Sequence, residues 1–324
     1  MAKRTVRDFD VAGKRALVRV DFNVPLKDGR VTDDTRIRAS LPTIAFLREQ
    51  GCRVVLMSHL GRPKDAPDPA FALDPVAMRL GQLLEAPVRK LSELTGPGVE
   101  AAVASMKAGD VVLLENSRFD PREKKNDPTL VYELARLGDI YVNDAFSAAH
   151  RAHATTAGLT TMLPAMAGFQ MAREVAALEA LVAEPKRPFV VVLGGSKVTD
   201  KIKVIDRFLD LADQLLIGGA MSLAFLKAKG LSVGASKVEE EGLPYAEEAL
   251  KKAAGAKCEL VLPTDIVAAD SFAEDAAAWA VGADAIPDGW MGLDIGPATA
   301  EKYAEAIATA GEVFWNGPMG VFEM

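Results

Sequence analysis

Residues 189–201 read FVVVLGGSKVTDK, and this stretch decides how the rest of the chain is interpreted. An apolar run meets two glycines and then two lysines four residues apart, which predicts a buried parallel strand that turns into a helix start. Glycines let the backbone approach a ligand, free N–H groups at a helix N-terminus attract anions, and Lys197 and Lys201 would share one helix face. The stretch is not a Gly-x-x-x-x-Gly-Lys-Ser/Thr phosphate loop. A plain strand-to-helix turn with two solvated lysines explains it equally well, so the other loops must decide.

Predicted strands alternate with predicted helices on both sides of this stretch. Before it, the apolar pattern gives strands at 16–22, 53–58, 110–114 and 140–143 and helices at 34–49, 75–84, 128–136 and 170–183. After it, strands follow at 214–217, 259–262 and 312–315 and helices at 199–211, 221–229, 240–254 and 298–310. This alternation predicts parallel sheets that are covered by helices on both faces, and a second half that repeats the architecture of the first.

Prolines punctuate the middle of the chain. Pro185 and Pro188 follow the helix predicted at 170–183 and indicate a domain junction. The sequence therefore predicts an α/β fold of two doubly wound, Rossmann-like domains, with residues 1–169 as the first domain, 170–185 as a linker helix and 186–324 as the second. A single (β/α)8 barrel is the rival fold, since the number of strand–helix units also fits it. Both folds place their chemistry in loops at the carboxyl ends of the strands.

The composition is that of an ordinary globular protein, with 49% hydrophobic and 26% charged residues. No run of about 18 apolar residues is present and the first residues lack an apolar signal region, which predicts a cytoplasmic protein without a membrane partner. Cys52 and Cys258 lie far apart beside apolar runs, so core thiols are expected rather than a disulfide or a metal pair.

The net charge of −7 is distributed unevenly. Residues 1–170 hold 24 Lys and Arg against 21 Asp and Glu, whereas the remainder holds 14 against 24. Sixteen of the 19 arginines and all three histidines lie in the first half. The planar fork of arginine matches the oxygens of carboxylates and phosphates, so this half is the better candidate for a small, multiply anionic ligand. Nucleic acid is a weaker explanation, because the charges are dispersed and no basic helix stands out.

Polar clusters follow each predicted strand of the first half. Each contains residues that could hold an anion, and most contain an arginine or a histidine. They are Asp21 and Asn23 with Arg36 at the next helix start, His59 and Arg62, Arg118, and Arg151 after Asn143 and Asp144. A surface loop explains any single cluster, but four of them at strand ends favour a ligand site.

Long motifs in these loops resemble the phosphoglycerate kinase family. In chain order they are DFNVP at 21–25, TRI at 35–37, SHLGRP at 58–63, ENSRF at 115–119, NDAF at 143–146, HRAH at 150–153, LGGSKV at 193–198, MGLDIGP at 291–297 and FWNGPMGVFE at 314–323. The resemblance implies a first domain that binds 3-phosphoglycerate and a second that binds ATP or ADP with Mg2+, joined by a hinge helix. It implies reversible phosphoryl transfer between 1,3-bisphosphoglycerate plus ADP and 3-phosphoglycerate plus ATP.

The resemblance also implies roles for individual residues. On the triose side, Asp21 and Asn23 would hold the hydroxyl and carboxylate end, His59, Arg62, Arg118 and Arg151 the remote phosphate, and Arg36 the reacting carboxylate. On the nucleotide side, the residues are Gly194, Gly195, Lys197, Lys201, Gly218, Gly292, Asn316 and Glu323, with Glu323 on the ribose. The acceptor carboxylate is already ionised at neutral pH, so Arg36 and Lys197 would be the catalytic residues, stabilising charge without moving a proton.

The chain departs from the family pattern at its end. The sequence stops at Met324, before the Gly-Gly-Gly-Asp-Ser/Thr loop with which family members continue, so the second domain is expected to lack its C-terminal part and no metal ligand is assigned to this chain. A sheet edge exposed there would favour aggregation. The expected protein is a monomer if complete. Two functions stay open, namely a phosphoglycerate kinase and a non-catalytic module that binds phosphoglycerate and nucleotide.

Overall fold

A computed structural model describes residues 4–64 and 66–322 of the chain. The chain divides into two compact units, of which the first ends at Leu178 and the second begins at Glu179. The boundary lies inside the helix Phe169–Ala183, here α5. Among the helices of the described ranges, none combines the length and the apolar character needed to span a bilayer.

The first unit is built on a six-stranded parallel sheet. Its strands are β1 Arg15–Arg19, β4 Arg53–Met57, β5 Val88–Lys90, β6 Val111–Leu113, β7 Ile140–Asn143 and β8 Ala165–Ala167, in the order β5-β6-β4-β1-β7-β8. A two-stranded antiparallel hairpin, β2 Leu26–Lys27 and β3 Arg30–Val31, stands apart from this sheet. The helices are α1 Thr35–Glu49, α2 Asp74–Leu84, α3 Pro97–Ala104, α4 Pro128–Ala135 and the first part of α5.

Alternate residues of the central strands serve two different cores. In β1, Ala16 and Val18 belong to one apolar cluster and Leu17 to another. In β4, Val54 and Val55 divide in the same way. Successive side chains of a strand point to opposite faces, so both faces of this sheet are buried and the strands read as unbroken apolar runs.

The second unit holds two sheets. A four-stranded parallel sheet has the order β11-β10-β9-β15, and a three-stranded antiparallel sheet has the order β13-β12-β14. Their strands are β9 Phe189–Leu193, β10 Gln214–Ile217, β11 Glu259–Val261, β12 Asp265–Ala269, β13 Ala278–Gly282, β14 Met291–Ile295 and β15 Glu312–Asn316. The helices are α6 Ile202–Leu211, α7 Met221–Ala228, α8 Leu243–Gly255 and α9 Pro297–Ala308.

The two open parallel sheets confirm the predicted α/β class and exclude the single barrel, since neither sheet closes on itself. The predicted repetition of one architecture in both halves was wrong in one respect, because the three-stranded antiparallel sheet β12–β14 has no counterpart among the described residues of the first unit. The sequence pattern of its strands predicts them only weakly. The strand β13 reads AWAVG and is mostly exposed, so it lacks the buried β-branched run that marked the other strands.

Candidate functional site

A cavity of about 300 Å³ lies at the carboxyl ends of the central strands in the first unit. Neighbouring parallel strands end at the same edge of a sheet, so the loops after β1, β4, β6 and β7 meet there. The structure brings six predicted residues into its lining, which are Asn23, Arg36, His59, Arg62, Arg118 and Arg151. Four of the six are arginines, and none of the described residues that line the cavity is a carboxylate. We call this space the arginine cavity.

Asp21, the seventh predicted residue, anchors this lining from beside it. Its Oδ2 accepts hydrogen bonds from Nη1 of Arg36 at 2.8 Å and from the hydroxyl of Ser147 at 2.5 Å. Both of these partners line the cavity. Asp21 therefore orients the Arg36 guanidinium, whose fork keeps four further N–H donors for other partners.

Gly61 fixes two further side chains of the lining. Its N–H donates to Oδ1 of Asn23 at 2.8 Å, and its carbonyl accepts from Nη1 of Arg118 at 2.5 Å. The φ angle of Gly61 is +61°, a left-handed conformation that favours glycine. The Arg118 side chain is buried, and this burial, together with the positive charge of Arg151, lowers its pKa. The lining thus gathers like charges that a bound anion would stabilise.

His59 contributes a hydrogen-bonding group to the cavity, but no positive charge at neutral pH. The side chain is buried, and its Nδ1 lies 2.8 Å from Nη2 of Arg19. Burial, followed by the positive charge of four arginines, lowers the pKa of His59 to about 2. These arginines are Arg19, Arg118, Arg151 and Arg36.

Arg19 is a residue of this region that the sequence analysis missed. It ends β1 inside a run that reads ALVRV, and only 1% of its surface is exposed. Burying a cation is costly unless it is paired and hydrogen-bonded. An arginine within an apolar run that predicts a buried strand could therefore have marked Arg19 as a functional candidate.

Asp144, in contrast, does not line the cavity, although its cluster was one of the four at strand ends. Its Oδ1 accepts from the backbone N–H groups of Gln170 and Met171, at 2.9 and 3.3 Å, in the first turn of α5. Oδ2 is buried and has no hydrogen-bond partner among the described residues. Burial raises the pKa of Asp144 to about 6.

A second cavity, of about 430 Å³, lies within the second unit. Its walls are largely apolar, formed by side chains such as Leu223, Met291 and Phe272, and the lining includes the predicted residues Gly195 and Gly292. The sequence analysis missed Phe272, an exposed aromatic ring at the cavity wall. An apolar slot with glycine backbone suits a flat aromatic ring with a few hydrogen-bonding edges.

The other two predicted glycines, Gly194 and Gly218, serve loop packing and do not line this cavity. A Cβ atom at Gly194 would lie 1.9 Å from the carbonyl oxygen of Pro318, and one at Gly218 would lie 2.4 Å from Sδ of Met319. Backbone hydrogen bonds hold these loops together, with Gly195 N donating to Pro318 O at 3.0 Å. Three chain segments therefore stack closely at the carboxyl ends of β9, β10 and β15.

The predicted helix at 199–211 was wrong at its start. Thr199–Lys201 form a 3-10 turn, α6 begins only at Ile202, and Lys197 lies in the irregular segment before that turn. The two lysines therefore do not share a helix face. Instead, Nζ of Lys201 donates to Oδ1 of Asn316 at the end of β15, which brings two predicted nucleotide-site residues together. Lys197 is exposed, and Glu239 holds the segment beside it by accepting from the backbone N–H of Thr199 at 3.1 Å.

Comparison with known proteins identifies the relatives of this chain. The sequence model of the family described as phosphoglycerate kinase matches residues 6–324. The phosphoglycerate kinase of Rubrobacter xylanophilus is 56% identical over 324 residues, which are 100% of this chain and 82% of that protein. That of Chloroflexus aurantiacus is 56% identical over 327 residues, again with 82% of its length covered.

Solved structures agree with the sequence match. Phosphoglycerate kinase from Coxiella burnetii superposes with a TM-score of 0.81 at 40% identity, covering 99% of this chain and 81% of that one. The Pyrococcus horikoshii enzyme gives a TM-score of 0.83 at 32% identity, covering 99% and 82%.

The chain belongs to the phosphoglycerate kinase family.

Membership in the phosphoglycerate kinase family confirms the predicted family and, with it, a kinase function, since the relatives match over the whole chain. The individual roles of the site residues stay predictions. One of those predictions, Glu323 on the ribose, lies outside the described residues.

The resemblance implied Mg2+ with ATP or ADP, without a metal ligand assigned in this chain. Within 4–64 and 66–322, no group of three or more His, Cys, Asp or Glu side chains is arranged to hold a metal ion. A metal held mainly by protein carboxylates therefore does not fit these described residues.

Proposed function

We propose that this chain catalyses reversible phosphoryl transfer between ATP and the carboxylate of 3-phosphoglycerate, with 1,3-bisphosphoglycerate and ADP as the products. The observation that carries this proposal is the convergence of four arginines on one cavity of about 300 Å³. The triose carries a phosphate and a carboxylate, and guanidinium groups match both in pairs of hydrogen bonds.

Arg36 is assigned to the reacting carboxylate and the phosphoryl group in transit. Asp21 orients it, and its position in the first turn of α1 adds the positive end of a helix dipole. Arg62, Arg118 and Arg151 are assigned to the remote phosphate. Asn23 and Asp21 are assigned to the hydroxyl and carboxylate end.

The chemistry on this side requires no general base. The carboxylate nucleophile is ionised at neutral pH, and His59, whose Nδ1 accepts from Arg19 and whose pKa lies near 2, has no proton-transfer work to do. The barrier arises from bringing two anions together, and fixed cations lower it by stabilising charge on the transferring oxygens.

The second unit supplies the nucleotide site in this proposal. The apolar cavity with Gly195 and Gly292 takes the base, and Lys197, Lys201 and Asn316 take the phosphates. Mg2+ that enters with ATP or ADP would neutralise charge on the phosphates. Transfer also requires the substrates to meet, and hinge bending about the linker helix is the predicted means.

A coupled assay of ATP formation from 1,3-bisphosphoglycerate and ADP tests this function. We expect turnover that depends on both substrates and on Mg2+, and calorimetry should show 3-phosphoglycerate binding to the same preparation. Normal triose binding with no turnover above background would contradict the kinase proposal and leave the non-catalytic module standing. Loss of both turnover and triose binding would contradict the assignment of the arginine cavity to 3-phosphoglycerate.

A further inference from the structure

The hydrogen bond between Arg19 and His59 has a fixed direction. Nη2 of Arg19 lies 2.8 Å from Nδ1 of His59, and a guanidinium can only donate. Nδ1 therefore accepts, so a neutral imidazole must carry its proton on Nε2. Both side chains are buried, which keeps water from competing for Nδ1.

A chain of directed hydrogen bonds holds Arg19 in place. Its Nε donates to the hydroxyl of Thr155 at 3.0 Å, and that hydroxyl donates to Oε1 of Glu123 at 2.5 Å. The backbone N–H of Thr155 adds a bond to Oε2 of Glu123 at 2.9 Å, and Nη1 of Arg19 donates to the carbonyl of Val20 at 2.5 Å. Glu123 is 1% exposed, as is Arg19. The buried carboxyl of Glu123 thus faces the buried guanidinium through one threonine; burial raises the pKa of Glu123, and the positive charge of Arg19 opposes that rise.

Burying these polar groups costs more free energy than a purely structural element requires. Two charges removed from water must recover their desolvation cost from close contacts, and apolar residues of similar volume often stabilise a core as well or better. The chain of bonds ends at His59, which lines the arginine cavity. No described residue accepts a hydrogen bond from Nε2 of His59, so this N–H remains for a ligand in the cavity.

We propose that Arg19 is a positioning residue that fixes His59 as the neutral Nε2–H tautomer, so that the cavity receives an uncharged N–H donor of constant direction. The acceptor is a phosphate or carboxylate oxygen of the anion, and this part rests on the proposed function. The charged groups that act on the ring are Arg19 from β1, Arg36 from α1, and Arg118 and Arg151 from the loops after β6 and β7. All are cationic, so they oppose protonation of His59.

Nitrogen-15 NMR of the histidine rings tests the tautomer without an activity assay. The chain has three histidines, so His59→Gln assigns the signal by difference. We expect His59 to show a protonated Nε2 and an unprotonated Nδ1 at every pH between 5 and 8. A protonated Nδ1, or titration of the ring in this range, would overturn the proposal whether or not the chain is an active kinase.

Two variants test whether Arg19 fixes the tautomer of His59. Arg19→Met removes the donor, and Thr155→Val keeps Arg19 but cuts its link to Glu123, which serves if Arg19→Met does not fold. We expect both to give a mixture of tautomers or a titrating ring, and about a tenfold rise in KM for 3-phosphoglycerate, equivalent to the loss of one well-placed hydrogen bond, with a smaller change in kcat.

Arg48→Met is the matched control. Arg48 donates to the carbonyl of Gly109 in the same unit and does not line the cavity. Its loss should leave the His59 signal and KM unchanged. A His59 signal that stays as a single Nε2–H form in folded Arg19→Met or Thr155→Val would contradict the positioning role. Absent turnover with the expected tautomer would count against the proposed function alone.

Discussion

Individual cations of the arginine cavity differ in how they are held, and this difference predicts different consequences of removing them. Arg36 is half exposed and makes one ion pair, to Asp21, whereas Arg118 is buried and fastened to the backbone of Gly61. A half-exposed pair contributes little to folding. Arg36 is therefore a residue whose role in catalysis can be separated from stability.

Arg36→Ala is expected to lower kcat of the kinase assay by about 100-fold or more, because its charge is assigned to the phosphoryl group in transit. The free energy of unfolding should change by less than about 1 kcal/mol. Arg38→Ala is the control, since Arg38 lies on the same helix but pairs with Asp34 away from the cavity. Equal kcat values for Arg36→Ala and the parent would remove Arg36 from the mechanism.

Arg62→Ala is expected to weaken 3-phosphoglycerate binding by about 1.5 to 3 kcal/mol, the typical cost of one charge-assisted contact. The Arg62 side chain is exposed in the free protein, so the fold should not change. Calorimetry with the triose measures the effect. An affinity equal to that of the parent would mean that this arginine lines the cavity without touching the ligand.

Asp144→Asn is expected to change the pH dependence of stability. The pKa of Asp144 is about 6 in the folded protein, above the value of about 4 in an unfolded chain, so the folded state holds the proton longer. Its contribution to the free energy of unfolding is therefore fully present below pH 4 and is lost as pH rises through 6. From the pKa difference, the loss is on the order of 2 to 3 kcal/mol.

Urea unfolding at pH 4.5 and pH 7.5 measures this effect. The asparagine variant keeps an oxygen for the N–H groups of Gln170 and Met171, so its stability should fall less between these pH values than that of the parent. Asp139→Asn is the control: the hydrogen bond from Arg15 lowers the pKa of Asp139, so its contribution is lost only below about pH 4 and this variant should not alter the slope between pH 4.5 and pH 7.5. Identical pH profiles for parent and Asp144→Asn would show that the Asp144 carboxyl is not buried as described.

Among the elements, the bounds of buried strands were predicted better than the start of the helix α6 and the side-chain partners in the loops. Strands such as β7 and β10 were predicted with their observed bounds, because buried parallel strands are short, continuous apolar runs. The start of α6 was missed, since a 3-10 turn and an α-helix have the same residue preferences over three positions. The side chains of Asp21 and Arg19 could not be placed, because their partners, Ser147 and Thr155, are more than 120 residues away in the sequence.

Gly194→Ala is expected to destabilise the second unit by more than about 2 kcal/mol. The added methyl group would meet the backbone oxygen of Pro318 at 1.9 Å, and backbone cannot move aside as a flexible side chain does. Thermal or urea unfolding measures the loss. Gly255→Ala, at the end of α8 with open space around the position, should be neutral or slightly stabilising. Equal stability of the two variants would contradict the close packing of the loops after β9 and β15.

At the scale of the whole molecule, the distribution of charge was visible before any coordinates. Residues 1–170 carry a net positive charge and the remainder a net negative one. The sequence predicted an anion site in the first half because arginine is both frequent there and placed at strand ends, and the cavity lined by four of these arginines lies in that half. It could not show that His59 is uncharged, because that depends on burial and on four arginines brought together by the fold. The compartment and the monomeric state stay predictions.

Ionic strength should act unequally on the two proposed substrate sites. Raising KCl from 0.05 to 0.5 M shortens the Debye length from about 14 Å to about 4 Å. We expect this to weaken 3-phosphoglycerate binding several-fold, because the arginine cavity is proposed to recognise the triose mainly through charge. Binding of adenosine, which has no phosphate, to the apolar cavity should change little. Calorimetry with each ligand checks both, and equal salt sensitivity would contradict the assignment of the cavities.

The position of β1 ties the support of His59, which lines the arginine cavity, to the integrity of the first unit. This strand lies between β4 and β7, feeds alternate side chains to two apolar clusters, and ends in Arg19. We therefore expect its amide hydrogens to exchange with solvent mainly through opening of the whole unit. Slow exchange of these amide hydrogens would show that the Arg19 support of His59 persists for as long as the first unit stays folded.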